Sequence, residues 1–144
     1  MSIDRQRVSS GSPYEKPIGF SRAVRVGSMV FVSGSAPVGT DGKNVGVGDA
    51  TAQARRCLEI IEAALKEAGA DMRHVVRTRM FITDAAIWED VGRAHGEVFG
   101  DIRPAATMVV VSGLLDPEWL VEIEAEALIV DDDESWQNAW APTD

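Results

Sequence analysis

The chain's clearest pattern is the alternation over residues 121–127. Val121, Ile123, Ala125 and Ala127 fall on one face of an extended segment, with Glu122, Glu124 and Glu126 on the other. Residues 103–111 instead form a short apolar run, Ala105-Ala106-Thr107-Met108-Val109-Val110-Val111, which predicts a strand buried on both faces. A turn at Asp116-Pro117 separates the two. Upstream, 22–26 and 29–33 read as strands joined at Gly27-Ser28, a hairpin signal. Strand 75–83 alternates as well, with Val76, Thr78, Met80 and Ile82 on one side and Arg77, Arg79 and Phe81 on the other.

Two segments carry helical spacing. From Asp49 or Thr51 as cap to about Ala68, the stripe Ala54, Cys57, Leu58, Ile61, Leu65 and Ala68 recurs at helical intervals, and Gly69 is the stop signal. Glu62 and Lys66 stand four apart on its solvent side. A second helix, from Asp84 or Ala85 to about Phe99, turns Ile87, Val91, Ala94 and Val98 inward and Glu89 and Arg93 outward. Residues 1–16 show little periodicity and are expected to be a flexible segment ahead of a domain over 17–130; residues 131–144 are expected to be an acidic, disordered tail.

The resulting order, β-β-α-β-α-β-β, predicts an α+β fold: one mixed sheet with two helices on one face. Met29-Val30-Phe31-Val32 and Ala106, Met108 and Val110 place apolar groups where two helices on one side cannot cover them all. Something must cover the other face, and self-association is the simplest cover.

Composition narrows the classes of function. Of 144 residues, 45% are hydrophobic, as in a globular domain. No charged start precedes an apolar stretch and no run is long enough to span a bilayer, so a cytoplasmic location without membrane contact is expected. The net charge of −9 includes Asp131, Asp132, Asp133, Glu134 and Asp144, with no Lys or Arg among residues 130–144. Neither body nor tail offers the basic surface that nucleic-acid binding requires. Cys57 is the only cysteine, and His74 and His95 lack clustered carboxylates, so neither a metal nor another cofactor is expected. His95 reads as a partly buried, satisfied histidine at the edge of a helical stripe. Gly46-Val47-Gly48 is no phosphate loop: no Lys follows, and Asp49 would repel the anion.

The glutamate row admits two readings. It is either a solvated face balanced by Arg77 and Arg79, or it holds a carboxylate in a cleft as a general base. Trp136 and Trp140 are unusual in a solvating tail and raise the option of docking on a neighbouring surface.

Six elements in order resemble the RidA/YjgF group of small trimeric proteins, many of which hydrolyse reactive imines and enamines. They are Gly19-Phe20-Ser21-Arg22-Ala23, Val32-Ser33-Gly34-Ser35-Ala36-Pro37, Ala52-Gln53-Ala54-Arg55, Val75-Val76-Arg77-Thr78, Pro104-Ala105, and Val121-Glu122-Ile123-Glu124. The resemblance covers about residues 15–129 and implies a homotrimer with clefts between subunits that bind a small-molecule metabolite. It also implies that Glu122 positions water or contacts the substrate nitrogen, with Phe20, Ser33 and Gly34 around it.

There are departures from that pattern. The Arg that grips a substrate carboxylate in deaminating members is Ala106 here, the opening Tyr is Phe20, the Gln after Ser-Gly is Ser35, and an Asn on the second helix is Gly92. Arg79 or Arg103 is then the expected replacement cation. With Met108 pointing the same way as Ala106, a more apolar cleft is expected, with weak activity on 2-imino acids. The expected function is hydrolysis of a small imine, enamine or related metabolite; the alternative is a trimer that binds a small molecule without catalysis.

Overall fold

The computed structural model describes residues 4–130; the expected acidic tail, with Trp136 and Trp140, lies outside them. Six strands form one mixed sheet in the order β1-β2-β3-β6-β4-β5. They are β1 (Arg5–Val8), β2 (Ala23–Val26), β3 (Met29–Ser35), β4 (Val75–Ile82), β5 (Ala105–Val110) and β6 (Val121–Leu128). Only the β4–β5 pair is parallel, and the helix α2 (Trp88–Phe99) makes its crossover. The long helix α1 (Ala50–Glu67) connects β3 to the second half.

α1 forms as its sequence directs. Asp49 caps it by accepting from the Ala52 N–H at 3.0 Å. Gly69, at φ +87°, ends it, with Ala70 N–H donating back to Leu65 at 2.8 Å. The predicted stripe is buried throughout and lies on β3 and β6 beside Val30, Val32, Ile123 and Ala125. The second helical segment starts differently from expectation: Asp84 caps a 3-10 turn over Ala85–Ile87, and the α-helix begins only at Trp88. Bidentate hydrogen bonds from Arg55 to Glu97 join the two helices on their outer surfaces.

Three differences from the sequence reading have plain causes. Residues 5–8, expected to lack structure, pair antiparallel with β2. Only Val8 of this edge strand is buried, so no alternation advertises it. In β4 a register shift between Val75 and Arg77 puts Val75 in the core and leaves Val76 exposed, reversing the predicted facing of Val76. β5, expected to be buried on both faces, is an exposed edge strand within one chain: Val110 is 56% exposed and Val109 42%. It lies at the end of the sheet, where the short α2 covers one face incompletely and, among the described residues, nothing covers the other.

The uncovered face follows from the pairing. Phe31, Glu126, Arg77 and Ala105 form one row across it, Glu124, Arg79 and Thr107 a second, and Glu122, Phe81 and Val109 a third. Phe31 is 44% exposed on this face. Among the described residues no helix is long and apolar enough to cross a membrane.

Candidate functional site

Glu122 is the best-placed chemical group. β6 carries it on the uncovered face opposite Phe81, and β3 bulges beside it. Between Val32 and Ser35 the β3–β6 register slips, so that Ser33 and Gly34 together stand against Glu124. The bulge brings the Gly34 backbone onto the Glu122 carboxylate so closely that a Cβ there would lie 2.8 Å from Oε2 and 3.0 Å from Cδ. Only glycine leaves that space. Burial raises the Glu122 pKa above its ordinary 4.5, while the nearby Arg22 charge opposes the rise. Behind it, the Cys57 thiol is buried and pushed up to about 12, mainly by burial, so it is an inert core group.

Phe20, Ser33, Gly34 and Glu122 line a single cavity of about 1070 Å³. Ser33 Oγ donates to Ser21 O at 2.7 Å and ties the bulge to the approach of β2. The segment 112–120 closes one side with Leu115 and Trp119. It has no regular structure, and side chains hold it in place. Trp119 Nε1 donates to Asn44 Oδ1 at 2.8 Å. The fully buried Gln53 donates to Glu118 O at 2.9 Å and to Gly46 O at 3.2 Å, and accepts from Leu120 N–H at 2.8 Å.

The other expected residues lie elsewhere. Ala106 pairs with Thr78 and Met108 with Met80, residues of the helix-covered face, so within one chain both point to the side of the sheet opposite Glu122. The expected apolar grouping of Phe20, Ala106, Met108 and Glu122 therefore does not form inside a single chain. Arg79 donates to Glu126 Oε1 at 2.9 Å and stands 3.8 Å from Glu124, and Arg103 donates to Gly100 O at 3.0 Å. Neither lines the cavity. The balance expected between the glutamates and two arginines is carried by Arg79; no ion pair joins Arg77 to them. His95 shares a 2.8 Å hydrogen bond with Thr78 Oγ1 and tilts against Phe99, and burial lowers its pKa. It is a packed histidine, as its position on the helix predicts. Among the described residues no cluster of His, Cys, Asp and Glu could hold a metal ion.

Residues 14–129 match the family described as endoribonuclease L-PSP. The chain belongs to this family, the RidA/YjgF group. The solved structure of a YjgF/YER057c/UK114 family member from Mycobacterium tuberculosis superimposes with a TM-score of 0.79 at 46% identity, covering 88% of this chain and 100% of that one. The 3-aminoacrylate deaminase RutC of Acinetobacter baylyi is 36% identical, over 73% of this chain and 82% of its own. TdcF of E. coli, solved with bound serine, is 28% identical with a TM-score of 0.74, covering 90% and 99%.

In this RidA/YjgF chain the sequence reading missed one residue beside Glu122. Arg22 stands inside the opening segment and lines the same cavity. Its neighbours in sequence show no charge pattern, but a charged residue directly before the buried Ala23 was a usable signal.

Proposed function

We propose that this protein is a RidA-like hydrolase that deaminates a small imine or enamine in the cleft lined by Glu122. The observation that carries this reading is a half-buried carboxylate with a raised pKa in a cavity beside a backbone bulge, in a chain of this family. Glu122 takes a proton from water as the oxygen attacks the C=N carbon and passes it to the nitrogen, then takes the hydroxyl proton of the tetrahedral adduct and delivers it to the same nitrogen. Ammonia leaves with the C–N electron pair, and a carbonyl compound remains. An enamine first takes a proton on carbon to become the imine. Such substrates are reactive already, so positioning and a proton relay supply the catalysis. The deaminase activity of the Acinetobacter relative supports the reaction class, and the serine bound by the E. coli relative supports a small ligand bearing nitrogen.

The uncovered sheet face, with Phe31 and Val109 exposed, supports a homotrimer. In such an assembly Ala106 and Met108 of one copy reach the cleft of another, which reconciles the family pattern with their position in a single chain. The alternative, binding without catalysis, draws on Ala106 standing where deaminating members carry Arg. Ammonia release from 2-aminoacrylate generated in situ separates the two. We expect turnover that Glu122→Ala abolishes. Ligand-induced thermal stabilisation with no ammonia from the wild type favours the alternative.

A further inference from the structure

The cleft needs a cation if its ligand carries a carboxylate, and the two expected ones are occupied. Arg79 is held by Glu126 and Arg103 by the Gly100 carbonyl. The cation that the fold does place beside Glu122 is Arg22. Its Nη2 donates to Gly34 O at 2.6 Å, on the same bulge that receives the Glu122 carboxylate. Its Nε is buried and has no hydrogen-bond partner, the one such side-chain atom among the described residues.

Arg22 and Glu122 influence each other's charge and line the same cavity, yet they do not close an ion pair within 4.0 Å. The neighbouring carboxylates are engaged elsewhere: Glu15 accepts from Ser9 and Ser10, and Glu59 is paired with Arg56. Half-buried, with a single acceptor, this guanidinium keeps donors in reserve. A charge removed from water is unfavourable until it finds partners, and a guanidinium edge suits the planar fork of a carboxylate.

We propose that Arg22 is the anion-binding residue of this site, holding the carboxylate of a 2-imino or 2-oxo acid while Glu122 faces the adjacent carbon. This inference rests on the hydrolase reading and names the residue of that site that would hold the carboxylate. A 2-imino acid carries carboxylate and C=N on adjacent carbons, so one small ligand spans a cation and a base that stand near each other without touching. The guanidinium missing at Ala106 is then supplied from the approach to β2. The expectation of weak activity on 2-imino acids assumed that no guanidinium served the cleft, and Arg22 removes that assumption.

The test is calorimetric titration of the full chain with sodium pyruvate and, as the neutral isostere, pyruvamide. Wild type is expected to prefer pyruvate. Arg22→Gln should raise the pyruvate Kd by about ten- to a hundredfold, the range of one charge-assisted contact, and leave pyruvamide nearly unchanged. Arg22→Lys should fall between the two. It also serves if Arg22→Gln fails to fold, since it too must weaken pyruvate selectively. Equal loss of both probes, a variant that binds pyruvate like wild type, or wild type that shows no preference for pyruvate overturns the proposal. Pyruvate binding that depends on Arg22, without ammonia release from 2-aminoacrylate, keeps the anchor and sinks the hydrolase. Turnover untouched by Arg22→Gln does the reverse.

Discussion

Gly34→Ala isolates the geometry of Glu122 from the stability of the sheet. The added Cβ would stand 2.8 Å from Oε2, whereas ordinary contact begins at 3.4 Å, so the carboxylate must withdraw by about 0.6 Å. The strand can accept the substitution, because the φ of Gly34 is not positive and the atoms in the way belong to the end of a side chain. Replacing glycine also reduces the freedom of the unfolded chain, worth about 0.4–1 kcal/mol in favour of folding. Displacing a half-buried carboxylate offsets this, and the net change should stay within about 1 kcal/mol, or a few degrees in Tm.

Catalysis should respond far more, since a misplacement of about 1 Å can lower a rate by about a hundredfold. We expect kcat/KM for ammonia release to fall about tenfold or more while the urea midpoint scarcely moves. In a Glu122→Gln background the same substitution should lower activity no further, because its target is already gone. Wild-type kcat/KM in Gly34→Ala, or a further loss in the double variant, would refute the link from bulge to base.

Gln53→Ala should cost about 3–5 kcal/mol in urea unfolding, because it strips buried partners from Leu120 N–H and from the carbonyls of Gly46 and Glu118; a loss under about 1 kcal/mol would show that the side chain is not the clasp described. Burial raises the Glu122 pKa, so kcat/KM should fall as pH drops through a value above 4.5, and Glu122→Gln should leave a low residual activity without that limb. The same shift means that the folded chain binds this proton more tightly, so stability declines as pH rises from 4.5 through the folded pKa; Glu122→Gln should remove that decline, leaving the variant at least as stable as wild type at neutral pH. Phe31→Asp places a charge on the uncovered face and should convert a trimer to single chains by native mass spectrometry; wild type already at the mass of one chain would sink the trimer.

The fold was legible where one face of an element is buried and the other is not. The stripe from Ala54 to Ala68 and the row from Val121 to Ala127 repeat at the period of their element, and both are buried as read. β1 was illegible because an edge strand with a single buried residue has no period to show. The facing of Val76 was lost to a bulge, which shifts the pattern without marking the sequence. For the site, Phe20, Ser33, Gly34 and Glu122 were legible as a group through family resemblance, and the geometry gathers them around one cavity. Within one chain Ala106 and Met108 stand on the face away from Glu122, because a strand alternation gives two faces but does not say which of them meets a residue two strands away. Arg22 was missed because its significance lies in an unpaired Nε, a property of packing rather than of sequence.

The clasp at Gln53 separates the cleft into parts that evolve under different rules. Glu122 and Gly34 sit on strands paired on both sides, where an inserted residue would shift the ladders. Leu115 and Trp119 sit on a segment that owes its place to Asn44 and Gln53, with no ladder of its own. Insertions or exchanges between Ser112 and Asp116 can thus recut the mouth of the cavity while the reacting carboxylate stays put. Under the proposed function, editing a few loop codons would change the choice of metabolite and leave the chemistry at Glu122 unaltered. For protein engineers, that stretch is where selectivity can be rewritten first.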